Sequence, residues 1–445
     1  MTTRERRNLA IPIGVLLVLT SLVTSGAVLE ATVLPEGTFV GTTRRAAALV
    51  ACRVLLLLAA ICLIAKRPRV TSVHIAALAV ASVVAGVLSV ALLQFAYTPP
   101  RIPSGWRSFA PVAERNELGY RGRKISYSSD DFVVLLLGDS QVEAMALPFD
   151  AMPERLLESA LQGRGRHVRV FSVGTGGYGQ DQELLALEEY FRTNRADLVV
   201  LWQTQSNDIW NNLFKTHMLN RNPKPTFWLD HEGLLQGPSE QLGESIGDSP
   251  FVLTALWRRV FGLSRRDRDW EQTLPEPYSP LTSYGGSANN TWQKRWNANV
   301  GFMRDENLAT EKSHMAVMLT PRSKRMQYGL DLTRALTLRI SETVTAQHGR
   351  FVVLQTETND TAPARDEVYS LNGRYYKVSR DQFYANWEYI NRGLAVEVIR
   401  VTVKDWRVSA EDGHLNAEAT NQAMSLVADR LQACAYQKCR TCCLD

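Results

Sequence analysis

Phe132-Val133-Val134-Leu135-Leu136-Leu137-Gly138-Asp139-Ser140 is a run of six apolar residues closed by a Gly-Asp-Ser triplet. An uninterrupted apolar hexamer bounded by turn residues suits a parallel strand buried on both faces rather than a half-exposed antiparallel one. The segment Phe149 to Leu161 follows with helical spacing, so Ser140 is expected at a strand-to-helix turn. The same rhythm recurs: Val168 to Val173 reads as a strand ending in the Gly-rich turn Gly174 to Gly179, followed by a helix over Gln182 to Thr193. Leu198 to Trp202 reads as a third strand ending in Gln203 to Asp208. Further strands are expected at Met315 to Leu319, Phe351 to Leu354 and Ala395 to Val401, with helices at Leu332 to Gln347 and Ala417 to Ala433. Alternating strands and helices predict an α/β fold, a doubly wound and mostly parallel three-layer sheet over residues 116–433.

Residues 211–310 break the rhythm and read as a cap-like insertion after the third strand. Their aromatic residues, Phe227, Trp228, Trp257, Trp270, Tyr278, Tyr284, Trp292 and Trp296, form either the core of that cap or the lining of a sugar-binding groove, the first being the commoner use of such residues.

The first hundred residues differ in composition. Leu9 to Leu29, Ala46 to Ala65 and Val73 to Ala96 are apolar runs, each about the 20 residues an α-helix needs to cross a bilayer. They predict a three-helix transmembrane anchor over residues 1–98, with a Pro-rich linker over 99–115 and the bilayer itself as a partner. The first run also fits a cleaved signal peptide, since Arg4, Arg6 and Arg7 precede it. Those arginines and Lys66, Arg67 and Arg69 outnumber Arg44 and Arg45 in the first loop. That bias predicts a bacterial inner-membrane protein with a cytoplasmic N-terminus and a periplasmic or extracellular remainder. Residues 1–107 carry a net charge of +8, leaving −3 for the rest of a +5 chain. A nucleic-acid partner would require a basic surplus on the globular part, and none exists.

Cys434, Cys439, Cys442 and Cys443 crowd the tail 434–445. Disulfides or free thiols suit them better than zinc, since adjacent Cys442 and Cys443 fit one tetrahedral site poorly and no His is near. No metal or other cofactor is implied.

In an open α/β sheet, ligands bind beyond the carboxyl ends of the strands. Those ends carry Ser140, the Gly174 to Gly179 turn and Asn207-Asp208, and the segment Glu411-Asp412-Gly413-His414-Leu415-Asn416 precedes the last helix. A serine hydroxyl becomes nucleophilic when a base takes its proton, and imidazole is the side chain best suited near neutrality. His414 is the candidate base, with Asp412 or Glu411 as the acid that fixes its tautomer. The Ser140 N–H, the Gly177 N–H and the Asn207 amide are candidate donors to an oxyanion. Asp139 is suited to bracing the turn through backbone hydrogen bonds, with Asp208 in a supporting place or serving only as a helix cap.

Gly138-Asp139-Ser140, Gly177, Ser206-Asn207-Asp208 and Asp412-Gly413-His414-Leu415-Asn416 together resemble the four signature blocks of SGNH/GDSL hydrolases, in their proper order. Asn116 to Gly122 and Gly177 to Gln182 are similar to the flanks found in membrane-tethered bacterial members of that group. Two positions depart from the usual pattern: Gln205 stands where the third block begins with Gly, and Glu411 where the fourth places its Asp. The resemblance implies Ser140 as nucleophile, Gly177 and Asn207 as oxyanion donors and His414 as base. It implies an ester hydrolase acting on O-acyl, chiefly acetyl, groups of an extracytoplasmic glycan or lipid. Two alternatives are an O-acyltransferase served by a membrane acyl-donor partner and a catalytically silent glycan-binding or scaffold module.

Overall fold

The computed structural model describes residues 14–22, 43–65, 110–162, 167–215, 224–238, 270–298, 306–358, 363–404, 407–409 and 412–436. The chain divides into two units, residues 1–103 with 244–265, and residues 104–243 with 266–445.

In the first unit, a helical stretch over 14–22 and helix α1 (Thr43–Ala65) are described. Arg53 Nε donates to the Ser21 carbonyl at 2.8 Å, and Ser21 Oγ returns a 3.3 Å bond to the Arg53 carbonyl. Among the described residues no helix is long and apolar enough to cross a membrane. That finding overturns the expected three-helix transmembrane anchor, and with it the multi-pass inner-membrane placement. Helix α1 shows the physical reason. Arg44 and Arg45 open it and Arg53 divides it, so its longest uncharged stretch is the twelve residues Val54 to Ala65. Twelve residues rise about 18 Å, well short of a hydrocarbon core of about 30 Å. The third apolar run, Val73 to Ala96, lies outside the described residues, as do most of the first run and the linker.

The second unit is built on a five-stranded sheet of order β2-β1-β3-β6-β9, every neighbouring pair parallel. The strands are β1 (Phe132–Gly138), β2 (Val168–Gly174), β3 (Leu198–Gln203), β6 (Arg350–Thr358) and β9 (Glu397–Val403). The apolar runs of the central strands β1 and β3 are continuous because helices cover both faces, whereas the edge strand β9 alternates buried with exposed residues. Val134 and Leu136 of β1 point to the side covered by α3 (Pro153–Gln162) and α9 (Ala417–Tyr436). Val133, Leu135 and Leu137 point to the other side, against α4 (Gln180–Phe191) and α7 (Lys324–Ala346). All five side chains are fully buried, each worth roughly 1.5–3 kcal/mol relative to exposure.

The run Met315 to Leu319 is not a strand. It forms a 3-10 turn at Ala316–Met318, and only Leu319 makes an isolated bridge, to Val378. Its partner belongs to a hairpin outside the main sheet, β7 (Glu367–Leu371) and β8 (Arg374–Val378), turned at Asn372-Gly373 with both residues at positive φ. A second small hairpin pairs β4 (Trp228–Leu229) with β5 (Leu235–Gln236). The inserted segment and the β7–β8 hairpin share a third core holding Trp210, Tyr278, Trp292, Tyr376, Phe383 and Trp387. Of the insertion's aromatic residues, Phe227, Tyr278 and Trp292 are buried, Trp228 and Trp270 half-buried, and Tyr284 and Trp296 exposed. Trp257 lies outside the described residues. The last helix extends to Tyr436, three residues past its expected end.

Candidate active site

Strands β1, β2 and β3 end level with one another: Gly138 pairs with Gly174 on one side and with Trp202 on the other. Strand β1 therefore delivers Ser140 between the turn that follows β2 and the segment that follows β3. The approach demands glycine. A Cβ on Gly174 would lie 2.3 Å from the Gly138 carbonyl oxygen, and one on Gly138 would lie 2.6 Å from Val142 Cγ2.

Ser140 opens the single-turn helix α2 (Ser140–Glu143), capped by the buried Asp139. Asp139 Oδ1 accepts from Gln141 N at 2.9 Å and from Thr204 Oγ1 at 3.1 Å, and Oδ2 accepts from Asn207 Nδ2 at 2.9 Å. Burial pushes this carboxyl above the ordinary aspartate range, against the pull of those donors and of His414. One amide proton of Asn207 is thus committed to Asp139, and the amide has a second to offer. Asn207 sits in α5 (Gln205–Leu213), one turn after β3.

The Gly-rich turn reaches Ser140 from the other side. A Cβ on Gly176 would stand 3.7 Å from Ser140 Cβ. Gly177 holds φ = +77°, a conformation that glycine adopts without the strain a side chain would bring. Neither the Ser140 N–H nor the Gly177 N–H donates to any group among the described residues. The turn is fastened by Glu143, whose Oε1 accepts from Thr175 Oγ1 at 3.0 Å and whose Oε2 accepts from Gly176 N at 2.6 Å.

The C-terminal side of α2 is held by Arg121, buried to within 3 % of full coverage. Its guanidinium donates to the carbonyls of Glu143 (3.1 Å), Ala144 and Leu147 (2.9 Å), and pairs with Glu114 at 2.8 Å. Asn116 Nδ2 donates to the Ser172 carbonyl at 3.0 Å. The Asn116 to Gly122 flank is therefore a brace behind the serine turn. Sequence reasoning passed over Glu143 and treated Arg121 as a motif letter only. The one legible signal was the third position after Ser140, which shares a helical face with it.

His414 arrives on the loop after β9. Its Nδ1 lies 2.5 Å from Asp412 Oδ1, and its N–H donates to the same oxygen at 3.1 Å. The next residue, Leu415, points its N–H toward Gln141 Oε1 at 3.5 Å. The residue after the histidine thereby meets the residue after the serine. Of the two candidate acids, Asp412 is the one seen on the imidazole, whereas Glu411 lies outside the described residues.

Behind the site lies a buried polar layer. Asp208 Oδ2 accepts from Thr204 N at 2.9 Å and from Gln180 Nε2 at 2.6 Å, while its Oδ1 has no partner among the described residues. Burial, then the neighbouring Asp139 charge, pushes Asp208 well above the usual range. Asn212 links α4 to α7 through Gln180 Oε1 (2.7 Å) and Thr333 Oγ1 (2.9 Å). Asp181 is paired with Lys224, a residue of the inserted segment, both fully buried.

The second unit thus carries a hydroxyl at a strand end, an imidazole held by a carboxylate on the loop before the last helix, and two backbone N–H groups that donate to nothing among the described residues. No family profile matches the chain, and no curated protein matches it. Among solved structures it is similar to a psychrotrophic esterase from Pseudoalteromonas, at 9 % identity over 69 % of this chain and all of that one, TM-score 0.32. A carbohydrate acetylesterase from Sinorhizobium meliloti is similar at 10 % identity over 68 % of this chain and all of that one, TM-score 0.29. An acetyl xylan esterase from Butyrivibrio proteoclasticus is similar at 8 % identity over 70 % of this chain and 66 % of its own length, TM-score 0.29.

Proposed function

We propose that the protein is a serine ester hydrolase that removes O-acyl groups, acetyl in the first instance, from a glycan or lipid through an acyl-enzyme. The observation that carries this reading is that His414 is braced by Asp412 while its neighbour Leu415 reaches Gln141, the residue next to Ser140. Imidazole Nε2 takes the Ser140 proton as Oγ attacks the ester carbonyl, and Asp412 stabilises the imidazolium that results. The Ser140 and Gly177 N–H groups and the second Asn207 amide proton receive the oxyanion. Collapse expels the alcohol with the proton from His414. Water then enters by the same route in reverse and releases the carboxylate.

The test is hydrolysis of a short-chain aryl ester by the purified protein and by Ser140→Ala. A fall on the order of 10⁴-fold or more supports the mechanism, undiminished turnover in the variant rejects Ser140 as the nucleophile, and absence of turnover in the wild type points instead to a silent binding module. Acylation of an added oligosaccharide that outpaces hydrolysis would move the reading to an O-acyltransferase, since both reactions share the acyl-enzyme.

A further inference from the structure

Glu183, in the first turn of α4, is completely buried, and both its carboxylate oxygens are without a hydrogen-bond partner among the described residues. The charged groups facing it are all acidic: Asp208 from α5, Asp139 from the serine turn and Asp181 from its own helix. Among the described residues the cation paired with this cluster is the buried Lys224, on Asp181.

Donor accounting places the proton. Asp139 receives three hydrogen bonds, and Asp208 receives two on Oδ2. Asp181 receives Lys224 and the Gln182 N–H. Glu183 receives none. A buried carboxylate without donors is far costlier than a buried neutral acid, and a neutral Glu183 has an O–H to give. Among the cluster's described aspartate oxygens, Asp208 Oδ1 is an open acceptor.

We infer that Glu183 is a neutral carboxylic acid at pH 7 and a positioning residue for the oxyanion side of the site, keeping the Asp208–Thr204–Asp139 chain anionic so that Asp139 orients the Asn207 amide. Ionising Glu183 would put a further negative charge beside Asp139 and Asp208. The Glu183 proton then goes to solvent, and the repulsion between the adjacent carboxylates would displace Asp139 from the Asn207 amide that it orients. Burial, followed by the charges of Asp208, Asp139 and Asp181, pushes the Glu183 carboxyl well above the ordinary glutamate range, in agreement with the geometry. The positioning role rests on the ester-hydrolase reading, whereas the protonation state does not.

Two measurements separate them. Infrared difference spectra of the whole protein at pH 7, wild type against E183Q (or E183L should E183Q not fold), are expected to show the carbonyl stretch of a protonated acid lost in the variant. Absence of that band in the wild type overturns the inference whatever the enzyme's activity. The pH profile of kcat is expected to fall on its alkaline side in the wild type. E183Q is expected to keep kcat within about threefold at pH 7 with KM unchanged and to lose that alkaline fall. An alkaline fall that persists in E183Q, or is absent from the wild type, overturns the positioning role. A protein with the band and no esterase activity would instead count against the function proposed above.

Discussion

Asp412 Oδ1 receives both the ring Nδ1 side of His414, at 2.5 Å, and its backbone N–H, at 3.1 Å. A single oxygen therefore fixes the backbone and the ring of the same residue across one intervening glycine. Replacing Asp412 by Ala or Asn is expected to lower kcat on the order of 10³ to 10⁴-fold with little change in KM, because the imidazole loses the acceptor that sets its tautomer. Steady-state kinetics on an aryl ester checks this. A loss of less than tenfold would show that another group holds the ring.

Asn207 is expected to act on kcat alone. Removing one oxyanion donor typically costs about 10²- to 10³-fold, so Asn207→Ala should fall in that range while the fold survives. The second partner of the same interaction gives a control: Thr204→Val removes a donor to Asp139 Oδ1 but leaves the Asn207 bond to Oδ2 intact. Its loss of kcat is expected to be about tenfold smaller. Equal effects in the two variants would remove Asn207 from the oxyanion site.

Gly174→Ala tests the close approach of β2 to β1. The added methyl meets a backbone carbonyl at 2.3 Å, and backbone cannot rotate away as a side chain can. Overpacking of this kind costs about 1–3 kcal/mol, and here also displaces the oxyanion turn. Denaturant melts are expected to show that loss of stability, together with reduced kcat. A variant as stable and as active as the wild type would contradict the register.

Glu311 supplies a pH prediction. Burial pushes its carboxyl up to about 7 from an ordinary value of 4.5, although Ser323 Oγ donates to it. A carboxyl raised in the folded state leaves stability intact below its unfolded pKa and withdraws it as pH rises through the folded pKa. The protein should therefore lose roughly 3 kcal/mol between about pH 4.5 and pH 7 through this group. Glu311→Gln should flatten that part of the stability curve. An unchanged slope in the variant would place Glu311 at an ordinary pKa.

The parallel sheet was legible in the sequence because strands covered on both faces are predominantly apolar: Phe132 to Leu137 and Leu198 to Trp202 are so throughout, and Val168 to Val173 is broken only by Arg169 and Ser172. The order of residues at the strand ends was legible for the same reason, since each end is fixed once its strand is found. Met315 to Leu319 misled because five apolar residues suit a buried turn as well as a strand, and length alone does not separate them. The β7–β8 hairpin carried a readable Asn372-Gly373 signal, masked by the expectation of parallel pairing. Hydropathy was the weakest guide in the first hundred residues, where apolar counts gave no weight to Arg53 in the middle of α1. The structural roles of Arg121 and Glu143 were barely legible and that of Glu183 not at all. Their burial is decided by partners from distant segments, and a charged residue in sequence looks the same whether it faces water or a carbonyl.

Lys224 sets a limit on how freely this chain can be rebuilt. The segment that follows α5 looks like an ornament that could be trimmed or exchanged between proteins. Yet its ammonium is sealed inside the main unit against Asp181. Excising the segment would leave Asp181 enclosed without a counter-charge, a defect of about 3–5 kcal/mol that is a large share of an ordinary domain's stability. Any natural or engineered shortening must therefore change position 181 together with the cut, so the two will be found altered together or not at all.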